Sequence, residues 1–132
     1  MTTVNIKKGD NIGEILDKLW DIVDVESGPP ILIFEEGTHV VGEMKIKGNI
    51  NIVGNNFNPK SLDSISNGNY EHNYTVLQGY FDVSSLRSYN IVKLSNLYWA
   101  RKPKDPILEV DSDKYKVIMD NVEIFCYKVL EV

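Results

Sequence analysis

The stretches VKLSNLYW (92–99) and VIMDNVEI (117–124) superpose without a gap. Each is an apolar strand, a short polar residue, an asparagine and a second apolar strand, and Asn96 and Asn121 stand 25 residues apart. Upstream, YFDVSS (80–85) matches ILEVDS (107–112) at about the same separation. A repeat of this length built only of short strands marks a β-solenoid, in which each coil buries its apolar face against the next. Coils stack at the strand spacing of about 4.8 Å, so equivalent residues form columns. Asparagine is useful in such a column. It tolerates the left-handed backbone of a tight corner, and its amide can bond to the coil above or below. Asn96 and Asn121 are therefore expected to form a structural ladder.

Ahead of the repeat lies one strong helix signal, after a short strand at Val4 to Lys7. DNIGEILDKLWDIVD places Ile12, Ile15, Leu16, Leu19, Trp20 and Val23 at offsets of three and four, which is one stripe of a helix over 10–24. Asp10 or Asn11 is the N-cap candidate. ESGPP (26–30) ends the helix, because glycine and two prolines cannot continue it. Everything later reads as β. ILIF (31–34) is continuously apolar, as in a strand covered on both faces. EEG turns the chain into THVV. EMKIKGNINIVG then alternates Met44, Ile46, Ile50 and Ile52 against Lys45, Lys47 and Asn51, with Gly48 breaking the run. The polar stretch at 55–74, rich in Asn, Ser and Gly, reads as a long exposed loop.

Length and charge narrow the choices. With 132 residues the chain is expected to form a single domain over 1–132. A formal net charge of -5, with Lys and Arg scattered, disfavours binding to a nucleic-acid backbone. The single cysteine, Cys126, allows no internal disulfide and no Cys/His zinc cluster, and is expected to be a small buried hydrophobe. MTTVNIKKGD shows no signal peptide or membrane span, so a cytoplasmic or virion-associated location is expected.

The order of helix, PILIFEEGTHV, EMKIKGNINIVGNN and TVLQG (75–79) resembles the opening of pectate-lyase-like right-handed parallel β-helices. Within that group the pattern is most similar to the N-terminal coils of pectin methylesterases, over about residues 10–132, with Ile52 to Asn56 as the LxGxG-type turn. ILEVDSDKYKVIMDNVEIFCYKV resembles the family stretch that leads into nCxfxGyQDTL. The resemblance implies the fold but not the chemistry. In the register that aligns Asn121 and Tyr127, the family's active-site Gln and Asp fall on Lys128 and Val129, and valine cannot transfer a proton. A second family Gln falls near Lys104. The nucleophilic Asp and the substrate-binding Arg and Trp belong to later coils, past Val132.

Other candidates compete with plainer roles. Asp111, Asp113 and Asp120 read as turn formers, because DSDKYKVIMD lacks the ligand spacing of a calcium loop. His39 and His72 read as surface histidines, and a triad with Ser84 or Ser85 is disfavoured. No phosphate-binding glycine motif occurs. Among the aromatics Tyr80, Phe81, Tyr89, Tyr98 and Trp99, some must point outward. Tyr98 and Trp99 with Asp82 and Arg101 are the candidate ridge for stacking on sugar rings, although core or interface is the better reading of Trp99.

EIFCYKVLEV runs apolar to the terminus with no capping helix. This leaves Phe125, Tyr127, Val129 and Leu130 as interface candidates on an open coil end. The expected fold is thus all-β: a short right-handed parallel β-helix, a single-stranded solenoid of roughly four coils, with one N-terminal capping helix. The expected function is a non-enzymatic structural or binding module. It would form a homo-oligomer (dimer or trimer) or bind a capping partner at its C-terminal coil, with a viral or phage origin drawn from analogy. The alternative is a carbohydrate-active or carbohydrate-binding protein acting on an acidic polysaccharide, with Asp82, Arg101 and Asp111 as its candidate site. Neither a metal nor a cofactor is expected.

Overall fold

The computed structural model describes residues 2–23, 28–55, 74–101 and 113–126. Seven strands and one helix follow in the order β1 (Thr3–Ile6), α1 (Ile12–Ile22), β2 (Ile31–Phe34), β3 (Gly37–Lys45), β4 (Ile50–Gly54), β5 (Thr75–Asp82), β6 (Asn90–Arg101) and β7 (Tyr115–Cys126). Every strand pairing among the described residues is parallel. The sheet runs β1-β2-β4-β6-β5-β3, with β7 on the other edge of β6.

The length of β6 explains this order. Its first half, Val92 to Ser95, lies beside β4, and its second half, Tyr98 to Ala100, lies beside β5. Between them Asn96 takes φ 56 and turns the strand; Asn121 does the same in β7 with φ 54. The parallel sheet therefore curls along a line of corners. β2 and β3, then β4 and β5, then the two halves of β6, then those of β7, each cross from one limb of the curl to the other.

Stacked equivalents build the core inside the curl. Leu32, Ile52, Leu94 and Met119 are successive register partners, and so are Ile50, Val92 and Val117. Leu32, Ile50, Ile52, Val92 and Leu94 are completely buried. Such a column keeps like-sized aliphatic chains in contact from strand to strand, which favours β-branched and leucine side chains. At the corner the column narrows. A Cβ on Gly54 would drive into the backbone carbonyl of Asn96 and lie 2.9 Å from Leu97 Cβ, so only glycine fits.

Helix α1 is shorter than the expected 10–24. Asn11 is its N-cap, with Oδ1 accepting from the Glu14 N–H at 3.1 Å. Ile12, Leu16 and Leu19 join the main core, and the helix packs on β3, an outer strand of the sheet. Trp20 Nε1 donates to the Lys45 carbonyl at 2.8 Å and ties the end of the helix to the end of β3. Among the described residues no helix is long and apolar enough to cross a membrane.

Three sequence expectations are corrected by the fold. THVV is not a separate strand. It runs on through Lys45 as one strand, with a bulge between Val40 and Gly42. Tyr74, at the end of the expected exposed loop, is buried and its carbonyl accepts from the Gly37 N–H at 2.6 Å. His39 is a buried residue and not a surface one. Its Nε2 lies 2.8 Å from the Glu35 carbonyl and its ring meets Phe34 edge-on at 5.0 Å.

Candidate functional site

The expected ridge of Tyr98, Trp99, Asp82 and Arg101 is not assembled. Tyr98 and Trp99 are both at 0% exposure, although they are consecutive in β6 and point to opposite faces. Trp99 turns into the main core, where Nε1 donates to the Gly79 carbonyl at 2.9 Å and the indole meets Phe81 edge-on at 5.1 Å. Tyr98 turns the other way, into a second cluster with Tyr74, Val76 and Ala100. Alternation assigns one face of a strand to solvent only when that face is bare, and this half of β6 is packed on both sides. Neither ring is available to a sugar. Burial, then the nearby Glu123 carboxylate and Tyr74, push the Tyr98 phenol up to about 12.

The charged members of the ridge lie apart. Asp82 ends β5 in register with Lys45, while Arg101 ends β6, which runs beside β5 only as far as Ala100. Asp82 Oδ1 accepts from the Ser84 N–H at 3.0 Å. Hydrogen bonding to Ser84, chiefly, holds its carboxyl below the usual range. That is a turn former's role. Asp113 and Asp120 are exposed. Among the described residues no group of three His, Cys, Asp or Glu side chains converges to hold a metal. Phe125 is half-buried against the Tyr98 cluster. The expectations for His72, Lys104, Asp111, Tyr127, Lys128, Val129 and Leu130, for the loop at 56–73, and for the side chain of Cys126 lie outside the described residues.

The structure instead opens a cleft of about 620 Å³ where the end of α1 meets two turns. One wall is the end of α1, with the half-buried Trp20 indole and Val23, followed by Gly28 and Pro29. The second is the β3–β4 turn, Lys47 to Asn49, and the third is the turn from Ser85 to Asn90 ahead of β6. Leu86, buried in the core, anchors this third wall. Asn49 Oδ1 accepts from the Ile91 N–H at 2.7 Å and joins the second wall to the third.

The lining is chemically uneven. Tyr89 is 55% exposed, and Lys47 and Arg87 are exposed cations with no ion pair among the described residues. Asn49, Ser85, Ser88 and Asn90 supply amides and hydroxyls. The described lining contains no carboxylate and no histidine, so it offers donors, a pair of cations and aromatic faces, and no general base. It suits binding. Sequence reasoning noted Tyr89 but had no reason to join Lys47 to Arg87. Comparison of the chain with protein-family models, curated proteins and solved structures finds no match in any of the three.

Proposed function

We propose that this chain is a short right-handed parallel β-helix of the pectate-lyase-like kind, acting as a non-enzymatic structural or binding module that associates with a second copy through β7. The observation that carries the reading is a comparison between register partners. Trp99 in β6 is at 0% exposure, whereas Ile124, its partner in β7, is 42% exposed. Leu94 and Leu97 are likewise fully buried, while their β7 partners Met119 and Val122 are only partly so. The columns through Leu94, Leu97 and Trp99 thus meet solvent at β7, whereas Tyr115 and Val117 at the start of the same strand are buried. Among the described residues this 12-residue strand pairs along one edge only, with β6.

An edge with no strand partner among the described residues, beside a half-covered apolar row, is a template for another strand. A twofold contact would set β7 of one protomer antiparallel beside that of its partner and close the assembly at two copies. The polar contacts of His39 and Asn96 fit a structural role, since the first is made to backbone and the second to a stacked asparagine.

Light scattering on a sizing column across a hundredfold concentration range tests the reading. The expected result is a dimer that Ile124→Lys converts to a folded monomer, with circular dichroism unchanged. A monomer at every concentration sinks self-association through β7.

A further inference from the structure

Resting on the reading of β7 as the contact between copies, the register of that contact follows from the side chains of the strand itself. β7 (Tyr115–Cys126) carries 12 residues and one corner, at Asn121. The corner reverses the alternation of side chains. Before it, Val117 and Met119 face the core while Lys116, Ile118 and Asp120 face outward. After it, Val122 faces the core with Ile124, the register partner of Trp99, while Glu123 and Phe125 face outward on the side of Tyr98.

Directly opposite residues of antiparallel neighbours lie on the same face of a sheet. A second copy of β7 must therefore set core-facing residues opposite core-facing ones. Because of the corner, only two positions of the twofold axis do this along both limbs of the strand: between Asp120 and Asn121, or between Asn121 and Val122. A contact confined to one limb leaves either Met119 or Ile124 uncovered.

Charge separates the two positions. With the axis between Asn121 and Val122, Asp120 lies opposite the partner's Glu123, and the twofold repeats this pairing of like charges. With the axis between Asp120 and Asn121, the middle of the strand, Asp120 lies opposite the partner's Asn121 and Ile118 opposite the partner's Glu123. Lys116 lies opposite the partner's Phe125, within diagonal reach of the partner's Glu123. The core-facing row is apolar on both limbs: Met119 meets the partner's Val122, and Ile124 meets the partner's Val117. Val117 is already buried, so the gain in cover falls on Met119, Val122 and Ile124.

We propose that two copies meet antiparallel along β7 with the twofold axis between Asp120 and Asn121, and that Asp120 and Glu123 exclude the alternative register.

Sedimentation equilibrium of the full chain, with charge variants at the 38% exposed Ile118, tests this. Ile118→Lys gains a pairing with Glu123 on each side of the axis and should tighten the dimer about tenfold. Ile118→Glu should loosen it about tenfold, and Ile118→Glu with Glu123→Lys should return it to within about threefold of wild type. Within one chain the two positions stand on different limbs of β7, so the recovery reports contact between copies. Opposite shifts from lysine and glutamate at one exposed position cannot come from loss of folding. A wild-type monomer, or a dimer that Ile124→Lys leaves intact, would overturn the β7 contact and this register with it. A dimer that Ile124→Lys dissociates, but in which the two Ile118 variants act alike or the double variant recovers nothing, would overturn the register alone.

Discussion

Asn121 donates from Nδ2 to Oδ1 of Asn96 across 3.3 Å, and both backbones are left-handed, at φ 54 and φ 56. The two residues occupy the same corner of successive passes through the curled sheet. Each reverses the side-chain alternation once, so that Leu94 and Leu97, three apart, both face the core.

Replacing either asparagine by alanine should cost about 1–2 kcal/mol, because a Cβ-bearing residue without a local polar contact resists the left-handed region. Asn96→Gly should cost less than Asn96→Ala, since glycine accepts that backbone freely. Urea midpoints of the single and double variants would show it. Equal loss for alanine and glycine would mean that the corner does not depend on φ.

Gly54→Ala should destabilise by about 3 kcal/mol or more, a value at the upper end of overpacking costs. Its Cβ would meet the backbone of Asn96, which cannot rotate away as a flexible side chain can. Gly48→Ala is the control: a Cβ there would lie 3.5 Å from Trp20 Cζ3, an ordinary contact, and should change stability by less than about 1 kcal/mol. Similar losses at both glycines would contradict the close approach.

Leu94→Ala should cost about 2–5 kcal/mol, since it empties a fully buried position between Ile52 and Met119. Met119→Ala should cost clearly less, because Met119 is only partly buried. Thermal melts of the pair rank the two. If Met119→Ala proved the more harmful, the apolar column would be closed at β7 and the proposed open edge would fail with it.

Alkaline stability should depend on Tyr98. Its phenol is raised to about 12 from an ordinary 10.0, so the folded chain holds this proton after the unfolded chain has released it. The contribution is complete below pH 10 and is lost as pH rises from about 10 to about 12. The size is on the order of 2 kcal/mol, from the energy equivalent of each pH unit. Tyr98→Phe should flatten that part of the profile. A variant with the same alkaline loss as wild type would show that other groups govern it.

What the sequence determined by itself was periodic. The gapless match of 92–99 with 117–124 is the register in which β6 and β7 pair, Val92 to Val117 and Trp99 to Ile124. Parallel in-register pairing makes each strand its neighbour's template, so residues that repeat in the chain also repeat in space. The helix was legible for a similar reason: its apolar stripe and the proline pair behind it act locally.

Only the tertiary structure decided which faces are covered. Tyr98 looked outward by alternation but lies under a second cluster, and His39 looked superficial but closes against Phe34 and Glu35. The cleft was also beyond reach of pattern. Lys47 and Arg87 stand in turns 40 residues apart in the chain, and what brings them together is the parallel pairing of β4 with β6, the strands those turns lead into, which no local spacing records.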